Sequence, residues 1–389
     1  MDQSLIEIPN VINDRLGCYR VGNLKFYSKV DAIEAMQKTG THLHWDFNEA
    51  VFSCYDWTKE PDTPILELYR RRAQQLRDKY DYIVLHYSGG SDSQTILEAF
   101  IDNDIKLDEI VTHVNYKATG DKDNYLNSEA CRVAIPQIEK LKETRPWLNH
   151  RIMDFTDLTL DYFSVEERKF DWMYDLNNFF NPNGTCRVDL GMKIKEWHDL
   201  IYSGKKVCML WGIDKPRVYQ INGKFVFRFL DFIDGGPTVK SLTGKQPYED
   251  ELFYWTPDMP ELIIKQAHII KNYLSKDDIE RDPWVGTEKS DLAYRTINGK
   301  TLWLNKHRVN QLIYPKWDIN TYSSGKGPSL IISSRDTWFF QVEEAISARR
   351  NWRIGIQKLW EFLPDYWKNN PADISSGIKG CWSKDYFLE

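Results

Sequence analysis

The stretch YDYIVLHYSGGSDSQTILEAF, residues 80–100, changes character halfway along. Tyr82, Ile83, Val84, Leu85, His86 and Tyr87 form a nearly continuous apolar and aromatic run, the pattern of a strand covered on both faces of a parallel sheet. From Gln94 to Phe100 the apolar residues Ile96, Leu97 and Phe100 return at helical spacing. Ser88-Gly89-Gly90-Ser91-Asp92-Ser93 lies between the two patterns, so the segment reads as strand, tight turn and helix N-terminus.

The composition of that turn is chemically specific. The first amides of a helix have no internal acceptor and sit at the positive end of its dipole, so a turn that feeds them makes a site for phosphate. Gly89 and Gly90 let a ligand approach the main chain and permit dihedrals closed to other residues. Ser88, Ser91 and Ser93 supply hydroxyl donors. Asp92 fits beside a polyphosphate when a divalent cation such as Mg²⁺ stands between the two negative charges. An ordinary Ser/Gly turn with a capping Asp would use the same residue types for local reasons. Their placement directly after an apolar strand favours phosphate.

Ser-Gly-Gly-x-Asp-Ser at Ser88–Ser93 resembles the pyrophosphate-binding loop of the PP-loop ATP pyrophosphatases, the superfamily of asparagine synthetase, argininosuccinate synthetase and tRNA-lysidine synthetase. The resemblance implies an α/β fold with the parallel sheet of the adenine nucleotide alpha hydrolase type, and Mg²⁺-ATP as cofactor. It implies adenylation of a carboxylate or carbonyl substrate with release of pyrophosphate, then AMP, in an amide-forming reaction like that of asparagine synthetase. It also assigns the adenine and ribose pocket to the end of the next strand, here Val114, Asn115 and Tyr116. Glutamine-dependent members begin with a cysteine nucleophile, whereas Met1 is followed by Asp2. The expected partners are therefore a small-molecule acceptor and a nitrogen donor, either ammonia, an amino substrate or a separate glutaminase subunit. Other phosphate loops are excluded: Gly299-Lys300-Thr301 has Tyr294 where a Walker A loop needs glycine, and Gly325-Lys326-Gly327 ends at Leu330 where a dinucleotide fingerprint needs glycine.

Working outward, three sections emerge. Residues 1–75 read as a small α+β extension, with a turn at Gly22-Asn23 and the alternating His42, His44 and Asp46, which would share one strand face. The spacing predicts a helix over Thr63–Lys79 whose Arg70, Arg71, Arg72 and Arg77 form a solvated face. Residues 76–240 alternate strand and helix, as a parallel sheet between helices requires, with strands at Glu109–Tyr116, His150–Phe155 and Lys205–Tyr219 and a helix near Asn127–Glu143 that is interrupted or starts afresh near Pro136. The last strand exits through Gly212-Ile213-Asp214-Lys215-Pro216-Arg217, which an open parallel sheet brings to the same edge as the Ser88 turn. Lys215 and Arg217 there can neutralise a pyrophosphate leaving group beside Gly212, and Asp214 can share Mg²⁺ with Asp92. Asn222-Gly223 marks a hairpin and Gly235-Gly236 a weaker glycine turn.

Residues 241–389 read as a mainly helical section that completes the acceptor pocket. The spacing predicts a helix over Pro260–Leu274 capped near Asp258, a hairpin at Asn298-Gly299, a turn at Tyr314–Asp318, and a helix over Asp336–Phe362 with Trp338, Phe339, Val342, Ile346 and Trp352 inward. His268 is a candidate base.

The 389-residue chain is 42% hydrophobic and 28% charged, and its net charge of −6 disfavours a dedicated nucleic-acid binder. Arg70–Arg72 and Arg349, Arg350 and Arg353 leave a second class open, modification of a tRNA or other nucleic-acid base. A third is a non-catalytic nucleotide-binding regulator or assembly protein that keeps only the loop. Six cysteines without a C-x-x-C pair, no secretory leader after Met1 and no apolar run of membrane length lead to the expectation of a cytoplasmic protein without a membrane partner.

Overall fold

A computed structural model describes residues 14–120, 127, 129–164, 172–175, 182–231, 238–289, 292–318, 337–368 and 378–389. The glycine pairs at Gly235-Gly236 and Gly325-Lys326-Gly327, and Asp336, lie outside these residues.

Three sheets organise the described chain. The first is antiparallel, β2-β1-β3, built from β1 (Cys18–Val21), β2 (Leu24–Phe26) and β3 (Leu43–Asp46). Its β1–β2 turn is the one expected at Gly22-Asn23, with Gly22 at φ +59°. His42 falls before β3, off the strand that carries His44 and Asp46, and the Asp46 carboxylate accepts from Arg20 and from the amide of Glu49.

The second sheet is parallel throughout and confirms the α/β class. It contains β4 (Tyr82–His86), β5 (Glu109–Val114), β6 (His150–Asp154), β7 (Val207–Trp211) and β10 (Glu249–Leu252), in the order β10-β7-β4-β5-β6. The chain runs outward from β4 through β5 to β6, then returns to place β7 on the other side of β4. Strand order therefore reverses between β4 and β7, the place at the carboxyl ends of the strands where the general rule for open α/β sheets puts a ligand crevice. Helices cover both faces. On one, Trp197 of the Lys195–Tyr202 helix donates to the buried Glu109 carboxylate at 2.6 Å, which Tyr82 and Arg151 also reach. On the other, Arg72 of the Ile65–Lys79 helix donates to Glu251 at 2.8 Å.

Arg72 and Arg77 correct one expectation: Arg72 is fully buried and Arg77 is largely covered on Asp108 rather than solvated, while Arg70 and Arg71 do stay outside on Glu67. The strand β10 explains the burial of Arg72, because it brings the Glu251 carboxylate into the interior and a guanidinium must follow.

The third sheet, β11-β13-β12-β8-β9-β14, joins β8 (Arg217–Ile221) and β9 (Lys224–Arg228) to β11 (Val285–Gly286), β12 (Ala293–Ile297), β13 (Lys300–Leu304) and β14 (Tyr386–Phe387). Both of its Asn-Gly turns, Asn222-Gly223 and Asn298-Gly299, have positive φ at both central residues, the geometry a two-residue hairpin of matching twist needs. The Asn222 hairpin is thus the middle of a sheet.

Two helix expectations change. The Pro260–Leu274 helix is capped by Met259, and Asp258 instead pairs with Arg15. As expected at Pro136, the helix starts afresh there as Ile135–Thr144, after a π-helical turn at Ala130–Ala134, while the side chain of Asn127 accepts from the amide of Asn115. The last long helix divides into Thr337–Gln341 and Ile346–Phe362 around a 3₁₀ turn, and this break swings Ile346 outward to 58% exposure while Trp338, Phe339 and Trp352 remain buried. A buried ion pair, Lys29 to Asp231 at 2.7 Å, ties the first section to the end of the chain, since Lys29 also donates to the carbonyl of Lys379.

Candidate functional site

β4 delivers its last residues straight into the turn, and the Ser91–Ile101 helix begins at once. Gly89 has φ +76°, which a side chain would strain, and a Cβ placed on it would stand 2.9 Å from the amide nitrogen of Ala134. Glycine is therefore required at 89 both for dihedral and for room. Gly90 is the helix cap, and no side chain caps the helix, so its first amides are available to an anion in the way the sequence implies. The serines hold the turn in shape: the Ser88 amide donates to the Ser93 hydroxyl at 3.2 Å, the Gly90 amide to the Ser88 hydroxyl at 3.3 Å, and the Ser93 hydroxyl to the Gly90 carbonyl at 3.2 Å. The Glu129 carboxylate approaches the same turn, with Oε1 3.6 Å from where a Gly90 Cβ would be.

The exit of β7 closes on this turn from the other side of the crevice. A Cβ on Gly212 would lie 3.1 Å from the amide nitrogen of Ser93 and 3.3 Å from the carbonyl carbon of Asp92, so the two loops are in backbone contact and Gly212 makes that approach possible. Lys215, nearly buried, forms an ion pair with Oδ2 of Asp92. The Asp92 side chain keeps 24% of its surface exposed. Asp92 and Lys215 are thus brought together across the reversal point, although they stand 123 positions apart in sequence.

Arg217 and Asp214 are placed differently. Arg217 is the first residue of β8, and its guanidinium pairs with Oδ2 of Asp214, whose Oδ1 accepts the amide of Lys215 at 2.6 Å. Both oxygens of Asp214 are engaged in shaping its own loop. Val114 and Asn115 are buried at the end of β5, with Tyr116 beside them half-buried, on the same sheet edge as the Ser88 turn. The Asn115 amide is taken by the side chain of Asn127 at 3.0 Å. His268 is not at this site: buried in its helix, its Nε2 lies 2.8 Å from the carbonyl of Trp57, and Lys265 pairs with Glu60.

Two site residues escaped the sequence reading. Tyr314 donates to Oδ1 of Asp92 at 2.5 Å, and Tyr254 donates to the Asp92 carbonyl at 2.7 Å. Both rings are fully buried, 5.5 Å apart, with Tyr69 against each. Burial, reinforced by the Asp92 charge, pushes both phenols well above their usual titration range, so they are donors at every ordinary pH. Burial opposes ionisation of Asp92, yet the Lys215 ammonium and the Tyr314 hydroxyl outweigh it and hold the carboxyl below its usual range. Nothing in the local residues marks Tyr254, within Phe253-Tyr254-Trp255, or Tyr314, before Pro315, as polar site residues.

Beside the crevice, His86 stacks on Trp211 with ring centroids 3.7 Å apart and 5° between planes, and its Nδ1 is 2.8 Å from Nε2 of His113. Burial first, then the Arg187 guanidinium that lies over Trp211, keeps the His86 imidazole well below its usual value and so neutral.

A nucleoside triphosphate fits these groups through the uncapped helix terminus, the glycine turn and the cation of Lys215. For Mg²⁺, Asp92 is the carboxylate that faces the crevice, and among the described residues no group of three or more His, Cys, Asp or Glu side chains could hold a metal ion. Among the described residues no helix is long and apolar enough to cross a membrane. No protein-family model matches this chain, and no curated protein matches it.

Proposed function

We propose that the chain is an ATP-dependent, AMP-forming ligase of the PP-loop type. The observation that supports it most is the uncapped N-terminus of the Ser91–Ile101 helix, entered through Gly89 at positive φ, at the point where the parallel sheet reverses its strand order. In this reading the β and γ phosphates of ATP bind the amides of Ser91, Asp92 and Ser93, and the adenosine lies toward Val114, Asn115 and Tyr116. Lys215 turns from Asp92 to the pyrophosphate as charge develops on it. Mg²⁺, held by Asp92 and the phosphates, supplies charge neutralisation when bound. A substrate carboxylate or carbonyl oxygen attacks the α phosphorus and pyrophosphate leaves; a nitrogen nucleophile then displaces AMP and loses a proton, giving an amide from a carboxylate or a carbon–nitrogen double bond from a carbonyl. The Asp214–Arg217 pair sets the shape of the Lys215 loop. Positioning and charge stabilisation carry the rate, and no side-chain nucleophile is required.

Incubation with α-labelled ATP, Mg²⁺ and pooled amino acids, with and without RNA, tests this reading. AMP formed with small-molecule acceptors supports the ligase. AMP formed only with RNA supports base modification, and nucleotide binding without turnover supports a regulatory role. An absence of ATP binding removes the proposal.

A further inference from the structure

Asp92 is held at three points. Lys215 takes Oδ2, Tyr314 takes Oδ1 at 2.5 Å, and Tyr254 takes the main-chain carbonyl at 2.7 Å. The contacts are chemically unequal. Lys215 is a cation on a flexible stem, free to be exchanged for another cation. Tyr314 is a neutral donor on a rigid, fully buried ring that cannot follow the carboxylate if it turns.

The hydroxyl of Tyr314 is locked by its surroundings. The Tyr314 amide donates to the carbonyl of Asn310 at 2.8 Å, and its carbonyl accepts from the Trp317 amide at 2.9 Å. One residue earlier, the carbonyl of Ile313 accepts from the Tyr69 hydroxyl at 2.6 Å, and that hydroxyl accepts from Gln266 at 2.8 Å. A chain of buried hydrogen bonds therefore runs from the Pro260–Leu274 helix through Tyr69 to the main chain at residue 313, beside the ring that grips the phosphate-loop carboxylate. Rotation about the last torsion of an aspartate is soft, so without this grip the two oxygens would exchange places readily.

We infer that Tyr314 is a positioning residue for cation binding: by fixing Oδ1 of Asp92 it leaves Oδ2 as the one oxygen offered to the crevice, first to Lys215 and, with pyrophosphate present, to a divalent cation. The inference rests on the phosphate-binding reading of the Ser88 loop. It gives the third section of the chain a part in the nucleotide site and not in the acceptor pocket alone.

The test measures binding, not turnover. Mn²⁺, detected by its paramagnetic resonance, is titrated into the full chain with inorganic pyrophosphate, and binding of pyrophosphate alone is measured in chelator. Tyr314→Phe keeps the ring and removes the donor. It is expected to weaken Mn²⁺ binding about tenfold, the loss of one hydrogen bond to a charged group, while metal-free pyrophosphate binding stays near wild type. Tyr69→Phe loosens Tyr314 without deleting its hydroxyl and is expected to weaken Mn²⁺ about threefold; this variant decides the matter if Tyr314→Phe folds poorly. Wild-type Mn²⁺ affinity in both variants overturns the inference and leaves the ligase reading standing. A wild-type chain that binds neither Mn²⁺ nor pyrophosphate overturns the phosphate-loop reading, and the inference falls with it.

Discussion

Replacing Arg72 with methionine isolates the buried electrostatics that support the site. The guanidinium donates to Glu251 at 2.8 Å, to Gln75 at 2.7 Å, and to the carbonyls of Leu252 and Phe253 at 3.2 and 3.3 Å. Glu251 is buried and also meets Lys79, Arg15 and the Tyr80 hydroxyl. Burial alone would raise its carboxyl, but Arg72, then Arg15 and Lys79, bring it down to about 2. A fall from 4.5 to about 2 corresponds to roughly 3 kcal/mol of native stability at 1.36 kcal/mol per pH unit. The sign follows from the depressed value: the contribution is complete above pH 4.5 and fades as pH falls toward 2. Breaking a buried pair from one side costs about 3–5 kcal/mol, and the remaining Lys79 and Arg15 place Arg72→Met at the lower end, about 3 kcal/mol. Urea unfolding followed by circular dichroism at pH 7 and at pH 3 checks this. The wild-type advantage should be about 3 kcal/mol at pH 7 and clearly smaller at pH 3. A loss under about 1 kcal/mol, or one equal at both pH values, refutes the reasoning. Because Arg72 also grips the carbonyls that precede Tyr254, the variant should bind pyrophosphate more weakly than its stability alone explains.

Asp92→Asn should lower AMP formation at least about a hundredfold while retaining the fold, since Lys215 and any divalent cation lose their anionic partner; AMP release at the wild-type rate removes the metal role. Gly89→Ala places a Cβ against the Ala134 main chain at positive φ and should cost about 1–3 kcal/mol by urea unfolding, with loss of nucleotide binding in the folded fraction; wild-type binding would show that the turn tolerates the strain. His86 is neutral when folded and takes up a proton on unfolding below 6.5, so it lowers stability as pH falls from that value. His86→Phe keeps the stack on Trp211 and should flatten the stability profile below pH 6.5; an unchanged slope would show that His86 is protonated in the folded protein.

Local pattern carried a large part of the fold. The apolar runs at Ile83–Leu85, Ile110–Val111 and Val207–Leu210 could bury themselves only as strands of a covered sheet, and the structure shows them so. The Asn222-Gly223 and Asn298-Gly299 pairs made their hairpins legible because two successive positive dihedrals admit few other residues. The Asp258 cap and the single Asp336–Phe362 helix were misread, because an acidic residue before a helix also serves as an ion-pair partner and a 3₁₀ break leaves no compositional mark. Arg72 failed for a related reason: three consecutive arginines look alike until β10 supplies a buried carboxylate for one of them.

By itself the sequence determined that a strand, a glycine turn and a helix start meet at Ser88–Ser93, because those properties belong to residues adjacent in the chain. The tertiary structure alone decided what surrounds Asp92. Strand order puts Lys215 across the crevice, and Tyr254 and Tyr314 reach the same residue from 162 and 222 positions away. Contacts at such separations depend on how sheets and helices pack together, and no local propensity encodes them.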